Sequence, residues 1–172
     1  VERSLTTNPD GTLKLDATTV TRRNSIGYDG LGRMTYYEET IIDPQGKSTM
    51  RTVSSILYNE LNQQAGYTEV TREEQGKDAN NTPLFTTQTT VRTDITYNPL
   101  GQLVSYHDSI DIRPVPGNMS ASKILKDVTW ELAQYNDKAQ LLYYKETTTE
   151  KWFEPADSQV EKYNVTTVSE RT

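Results

Sequence analysis

The chain has 172 residues, 33% of them hydrophobic when Tyr is counted, and a formal charge of −6. Leu, Ile, Val and Phe total 34, about one residue in five, close to the composition at which a charged chain stops folding. Such a chain has no thick aliphatic core, lacks the ~18 consecutive apolar residues that cross a bilayer, and repels phosphate backbones, which argues against membrane insertion and nucleic-acid binding.

Against this stand 11 Tyr, 26 Thr and 2 Trp, with only 9 Gly and 7 Pro. Disordered chains are poor in aromatic and β-branched residues, so the composition points to a thin, polar β-protein. There is no Cys, which removes thiol catalysis, disulfides and Cys-ligated zinc.

The chain opens at Val1 without Met and closes in a strand-like run, Val165–Thr172, so a segment of a longer protein is expected. Its elements read as copies of one unit. A degenerate copy, Thr7-Asn-Pro-Asp-Gly-Thr-Leu13, comes first. Four strong copies follow: Tyr28-Asp-Gly-Leu-Gly-Arg-Met34, Tyr58-Asn-Glu-Leu-Asn-Gln-Gln64, Tyr97-Asn-Pro-Leu-Gly-Gln-Leu103 and Tyr135-Asn-Asp-Lys-Ala-Gln-Leu141. They start 30, 39 and 38 residues apart. One continuous repeat region over 1–172 follows, with units near 1–17, 18–49, 50–88, 89–125, 126–165 and 166–172.

The agreement extends past each motif. Nine residues after the leading Tyr stands a second: Tyr37, Tyr67, Tyr106 and Tyr144. Two residues further is an acid: Glu39, Glu69, Asp108 and Glu146. Two residues before the leading Tyr stand Ile26, Ile56, Ile95 and, as the exception, Ala133.

Each copy reads as a β-hairpin. Thr, Val, Ile and Tyr flank an Asp/Asn-x-x-Gly turn, in which Asp or Asn caps its own backbone and Gly accepts positive φ. A four-residue loop, Asp29 to Gly32, pairs Tyr28 with Arg33, Ile26 with Thr35 and Asn24 with Tyr37. One face then gathers the leading Tyr, the Ile, a variable residue (Thr35, Ala65, Val104, Leu142) and the second Tyr. The acid column falls on that face, at the watery far end. A second set of turns lies at the opposite edge: Asp43–Lys47, Glu74–Pro83, Pro114–Asn118 and Glu154–Ser158. The fold class is therefore all-β, an antiparallel meander of strands of ~10–13 residues without substantial helix; a helical turn is an alternative only within Ser120–Trp130.

The run Tyr28-Asp-Gly-Leu-Gly-Arg-Met34, then Asp43-Pro-Gln-Gly-Lys-Ser-Thr49, then Tyr58-Asn, resembles the YD repeat of Rhs-type bacterial toxins, toxin-complex shells, wall-associated proteins and teneurins. The likeness covers about Thr7 to Thr172. It implies consecutive hairpins in one long sheet that often spirals into a shell, in large secreted or surface proteins, with activity held in a separate terminal domain. Repeat-defining residues are then Tyr28, Gly32, Arg33, Tyr37, Tyr58, Tyr67, Tyr97, Gly101, Tyr106, Tyr135 and Tyr144. The spacings here are longer than the family's usual unit of about twenty residues, and Asn62-Gln63-Gln64 and Asp137-Lys138-Ala139 depart from its motif.

No catalytic constellation emerges. His107, the single histidine, could be set against Ser105 or Ser109 with Asp108 or Asp111, but neighbours alternate sides of a strand and no nucleophile turn surrounds them. It reads as an exposed strand residue. The acids of neighbouring hairpins would lie ~9.5 Å apart, too far to share a cation, and pairing with Lys or Arg is expected instead. Tyr37, Tyr67, Tyr106 and Tyr144 could form a glycan-stacking platform, or be the core itself, since Tyr buries a large area with few rotatable bonds. Thr86-Thr-Gln-Thr-Thr90 and Thr147–Thr149 lack the strict spacing of an ice-binding array. The glycosylation patterns at Asn80, Asn118 and Asn164 are those chance places in an Asn/Thr-rich chain.

The expectation is a non-catalytic scaffold, stalk, shell or filament of a bacterial extracellular or cell-surface protein, with no cofactor and no metal. Its partners are neighbouring repeats, or identical chains joined by strand addition. A carbohydrate-binding or adhesive module using the tyrosine columns is the alternative.

Overall fold

Thr, Val, Ile and Tyr suit a pleated, half-buried surface, and where they dominate the chain is extended. The computed structural model describes residues 2–7, 10, 13–115, 122–154 and 160–171. Among these, ten strands follow one another: β1 (Glu2–Thr7), β2 (Leu13–Tyr28), β3 (Met34–Ile42), β4 (Ser48–Tyr58), β5 (Gln64–Lys77), β6 (Pro83–Tyr97), β7 (Leu103–Arg113), β8 (Lys123–Tyr135), β9 (Leu141–Phe153) and β10 (Glu161–Arg171). They form one antiparallel sheet in sequence order, and no helix occurs among the described residues. β8 begins at Lys123, so the stretch open to a helical turn is strand from there on. Ser120, most of the turns expected at Pro114–Asn118 and Glu154–Ser158, and most of the copy at Thr7–Leu13 lie outside the described residues.

The four strong motifs are hairpin turns, but each loop has five residues rather than four. In the first, Asp29 N–H donates to the Arg33 carbonyl (2.9 Å) and Gly32 N–H to the Asp29 carbonyl (3.0 Å). The same pair of bonds closes 59–63, 98–102 and 136–140, and also 43–47 and 78–82 at the opposite edge. The fourth residue must have positive φ. Gly32, Gly46 and Gly101 take it without strain, while Asn62, Asn81 and Ala139 occupy the same place. The wide turn expected at Glu74–Pro83 is this tight loop, because β5 continues to Lys77.

Five-residue loops change the register. Tyr28 pairs with Met34, not Arg33, and Ile26 with Tyr37, not Thr35. In each hairpin the outgoing strand carries an extra residue a few positions before the leading Tyr, and the return strand carries a compensating one just after the turn. The outgoing bulges of the last three hairpins hold Ser55, Asp94 and Leu132 at positive φ, each three residues before its Tyr. The return extras are Thr35, Ala65, Val104 and Leu142, so these residues have no direct cross-strand partner. Such bulges sharpen the local twist without losing the overall alignment.

Across the sheet the alignment drifts steadily. Tyr37 lies opposite Val53, which lies opposite Glu69. Tyr67 leads in the same way through Arg92 to Asp108, and Tyr106 through Trp130 to Glu146. A line drawn across the strands from a second Tyr thus always meets the acid of the next hairpin. Each hairpin is displaced by two residues from its predecessor.

Nothing among the described residues forms a second layer over either face. Among the described residues, only Val53 (3% exposed), Ile56 (7%) and Trp130 (8%) are buried large apolar residues. The accessible surface is 11424 Å², against about 8,600 Å² for a compact monomer of this mass. The core is one central stripe on one face of the sheet.

Candidate functional site

The turns position the site. Asp29 Oδ1 accepts from Leu31 N–H and Arg33 N–H, both at 2.9 Å, and Asp29 Oδ2 accepts from Arg33 Nε at 2.7 Å. The backbone and side-chain donors of Arg33, in that order, hold the Asp29 carboxyl below its ordinary range. Where the first residue is Asn, the fifth is Gln, and the amides bond directly: Asn59 to Gln63, Asn98 to Gln102 and Asn136 to Gln140. The departure Asn62-Gln63-Gln64 is therefore a working turn, with Asn62 in the glycine position. The third position puts Leu31, Leu61 and Leu100 at one rim, each more than three-quarters exposed. That row was not foreseen, although Leu recurs there in three of four copies.

Each leading Tyr after the first ties its hairpin to the one before. The hydroxyl of Tyr58 donates to the Met34 carbonyl (2.8 Å), that of Tyr97 to Gln64 (2.9 Å) and that of Tyr135 to Leu103 (2.7 Å). Tyr28 is 59% exposed and has no such partner among the described residues.

The second Tyr column stands on the stripe side, and its rings face along the sheet. Arg23 lies over Tyr37 at 4.4 Å, with Arg51 at 5.7 Å. Arg92 lies 5.6 Å from Tyr67 and 3.7 Å from Tyr106. Trp130 stacks on Tyr106 with ring centres 5.4 Å apart and meets Tyr144 at 5.5 Å. All four tyrosines are half-buried. A sugar stacking on Tyr37 or Tyr106 would have to displace an arginine. Among the described residues Tyr67 meets only Arg92 and Tyr144 only Trp130, so each keeps a side without a ring or cation partner. Burial pushes the Tyr67 and Tyr106 hydroxyls above their ordinary pKa, and Arg92 only partly offsets this.

The acid column lies on the same face, as expected, but not at its wet end. Glu39 is 7% exposed and Asp108 6%. Glu39 accepts from Arg23 Nη2 (3.0 Å) and Arg51 Nη1 (3.1 Å), Glu69 from Arg51 Nε (2.8 Å), and Asp108 from Arg92 Nε (2.7 Å) and Nη2 (2.6 Å). Burial raises the Glu39 pKa, but the hydrogen bonds from Arg23 and Arg51 outweigh it and hold the carboxyl below the usual range. Glu39 and Asp108 are buried because arginines of flanking strands lie against them, while the two-residue stagger sets Glu69, Asp108 and Glu146 in line with the second Tyr of the preceding hairpin. Glu146 differs: its cross-strand neighbour is Trp130, and it has no ion pair among the described residues.

No family model, no curated protein and no solved structure matches the chain.

His107 lies on the other face, its Nε2 3.3 Å from Asp127 Oδ1. Ser105 Oγ is 2.7 Å from Thr96 Oγ1. Asp108 faces the opposite way and is bonded to Arg92, and Asp111 accepts from Arg113 at 2.8 Å. The residues weighed for a triad are thus held apart. Among the described residues, no three His, Asp or Glu side chains gather as metal ligands would.

Proposed function

We propose that the chain is a structural repeat segment of a large bacterial secreted or surface protein. It is a scaffold of the YD-repeat kind, which builds a stalk, shell or filament by stacking hairpins. One observation carries this reading: the leading tyrosines of the last three strong copies and Arg51 are directed at the neighbouring repeat. The leading tyrosines bond the preceding hairpin, and Arg51 bridges the acids of two hairpins, Glu39 and Glu69. Groups committed to their neighbours make a spine rather than a binding cleft. Stability then grows with copy number, since each unit buries surface mainly against the next. Its partners are further repeats or identical chains joined by strand addition.

The test is removal of residues 58–96, which joins Leu57 to Tyr97 and deletes one full period. The shortened chain should fold, unfold cooperatively with a smaller denaturant dependence, and give a shorter particle in small-angle scattering. Loss of all structure on this deletion would overturn the repeat reading.

A further inference from the structure

One place on the tyrosine face recurs in every strong copy, five residues before the leading Tyr. Arg23, Val53, Arg92 and Trp130 hold it. The last three lie directly opposite Tyr37, Tyr67 and Tyr106, so each stands between one second tyrosine and the next. Two of these intervals are filled by a flat group. The Arg92 guanidinium lies 5.6 Å from Tyr67 and 3.7 Å from Tyr106, and the Trp130 ring 5.4 Å from Tyr106 and 5.5 Å from Tyr144. Val53 ends at its γ-methyls and does not rise between rings. A cleft of about 310 Å³ is left in its interval, with Tyr37, Tyr67, Val53, Ile56, Arg51 and Gln64 among its lining.

We propose that this cleft binds a small, neutral, planar aromatic molecule of the size of indole, stacked on Tyr67 with Tyr37 as the facing wall. Such a site goes beyond the scaffold role and does not depend on it. Tyr37 and Tyr67 are two strands apart with a two-residue stagger, as Tyr106 and Tyr144 are. Between the latter pair an indole already sits, that of Trp130. The spacing set by the fold therefore suits one aromatic ring, and rings stacked in this way attract beyond the area they bury. Arg92 comes from β6 and covers the side of Tyr67 turned away from the cleft, which leaves the near side free. Arg23 comes from β2 and covers the far side of Tyr37 in the same way. Tyr37 and Tyr67 make no ring contact with each other among the described residues.

The rest of the lining selects the guest. Val53 and Ile56 are buried and give an apolar floor. Toward the turn 59–63 lies Gln64, whose side-chain amide has no hydrogen-bond partner among the described residues and can accept from a ring N–H. Toward the opposite edge lies Arg51, bonded to Glu39 and Glu69, while Arg23 also bonds Glu39. Two cations thus stand against two carboxylates. No net charge draws an ion into the cleft, and a cationic guest would meet Arg51, so the guest is neutral. An apolar floor, a free ring face and one uncommitted amide are the features of a small-molecule site.

The test is titration of the full chain with indole, followed by calorimetry and by nuclear Overhauser effects. Saturable binding is expected with a Kd of about 1 mM or tighter, a level within reach of a ligand of this size. The indole protons should contact the Val53 methyls and the Tyr67 ring. Val53→Trp fills the interval from the chain itself; it should leave the circular dichroism unchanged and weaken binding at least about tenfold. Tyr67→Leu removes the stacking face and should weaken binding as much, so the outcome does not hang on the fold of the first variant. Tyr144→Leu removes the other tyrosine with a free side and should change Kd by less than about twofold. Methyl glucoside should neither bind nor compete. The proposal is overturned by no saturation up to about 10 mM indole, by Overhauser contacts at other residues only, by equal effects of Tyr144→Leu and Tyr67→Leu, or by methyl glucoside binding in place of indole. The repeat deletion and this titration can fail independently.

Discussion

The hydroxyl of Tyr135 donates to the Leu103 carbonyl, while that of Tyr28 has no partner among the described residues, yet both residues open the same motif. A neutral hydrogen bond of this kind is worth about 1 kcal/mol net. Tyr58→Phe, Tyr97→Phe and Tyr135→Phe should each destabilise by about that amount, and Tyr28→Phe by almost nothing. Urea unfolding of the four variants checks this; equal effects at all four would remove the lock. The columns themselves were legible, because eight of 11 tyrosines recur at two fixed offsets. What the leading tyrosines bond to was not. A backbone carbonyl on the previous hairpin leaves no residue type to recognise. The arginines were foreseen only as a class. They do not keep one offset: Arg23 and Arg92 stand five residues before the leading Tyr, Arg51 stands seven before, and Val53 and Trp130 fill the remaining places.

At the scale of the element, the turn and the bulge behaved differently. Turn residues were recognisable because Asp, Asn and Gly have distinct backbone chemistry. Ser55, Asp94 and Leu132 share nothing but position, so the bulges stayed hidden, and the expected register was displaced because the loop has five residues rather than four. The turns also differ in quality. Ala139 holds φ +60 where other copies place Gly or Asn. A Cβ in that region costs about 1 kcal/mol, so Ala139→Gly should stabilise by roughly that much, seen as a raised denaturation midpoint. No gain would mean that the loop relaxes around the alanine at no cost. Gly66 is small for another reason: a Cβ there would lie 2.9 Å from the Arg92 carbonyl oxygen, so that strand pair closes only over glycine.

For the whole molecule, the buried stripe is unusually ionic, and this sets its response to pH. Glu39 titrates below its unfolded value, so its share of stability is present above about pH 4.3 and is lost as pH falls through the folded value. Tyr67, Tyr97 and Tyr106 titrate above theirs, mainly through burial, so their share is present below about pH 10 and is lost as pH rises further. The urea midpoint should therefore be level between these limits and fall on both sides. Glu39→Gln should flatten the acid limb but not the alkaline one; an unchanged acid limb would show that Glu39 does not carry it. The all-β meander was readable from composition and turns. The burial of Glu39 and Asp108 was not, because it depends on which strand supplies the covering arginine, and the arginines keep no fixed offset from the leading Tyr.

The two-residue stagger between hairpins has a mechanical consequence. Two residues along the strand for every two strands across correspond to about 6.8 Å against about 9.5 Å, an inclination near 35°. Tension applied from one end of the row of hairpins to the other is therefore not perpendicular to the strands. Part of it acts along them, so each ladder must slide many hydrogen bonds at once instead of opening them one by one. A flat, unstaggered meander would part like a zip under the same load. This one should resist as a lap joint does.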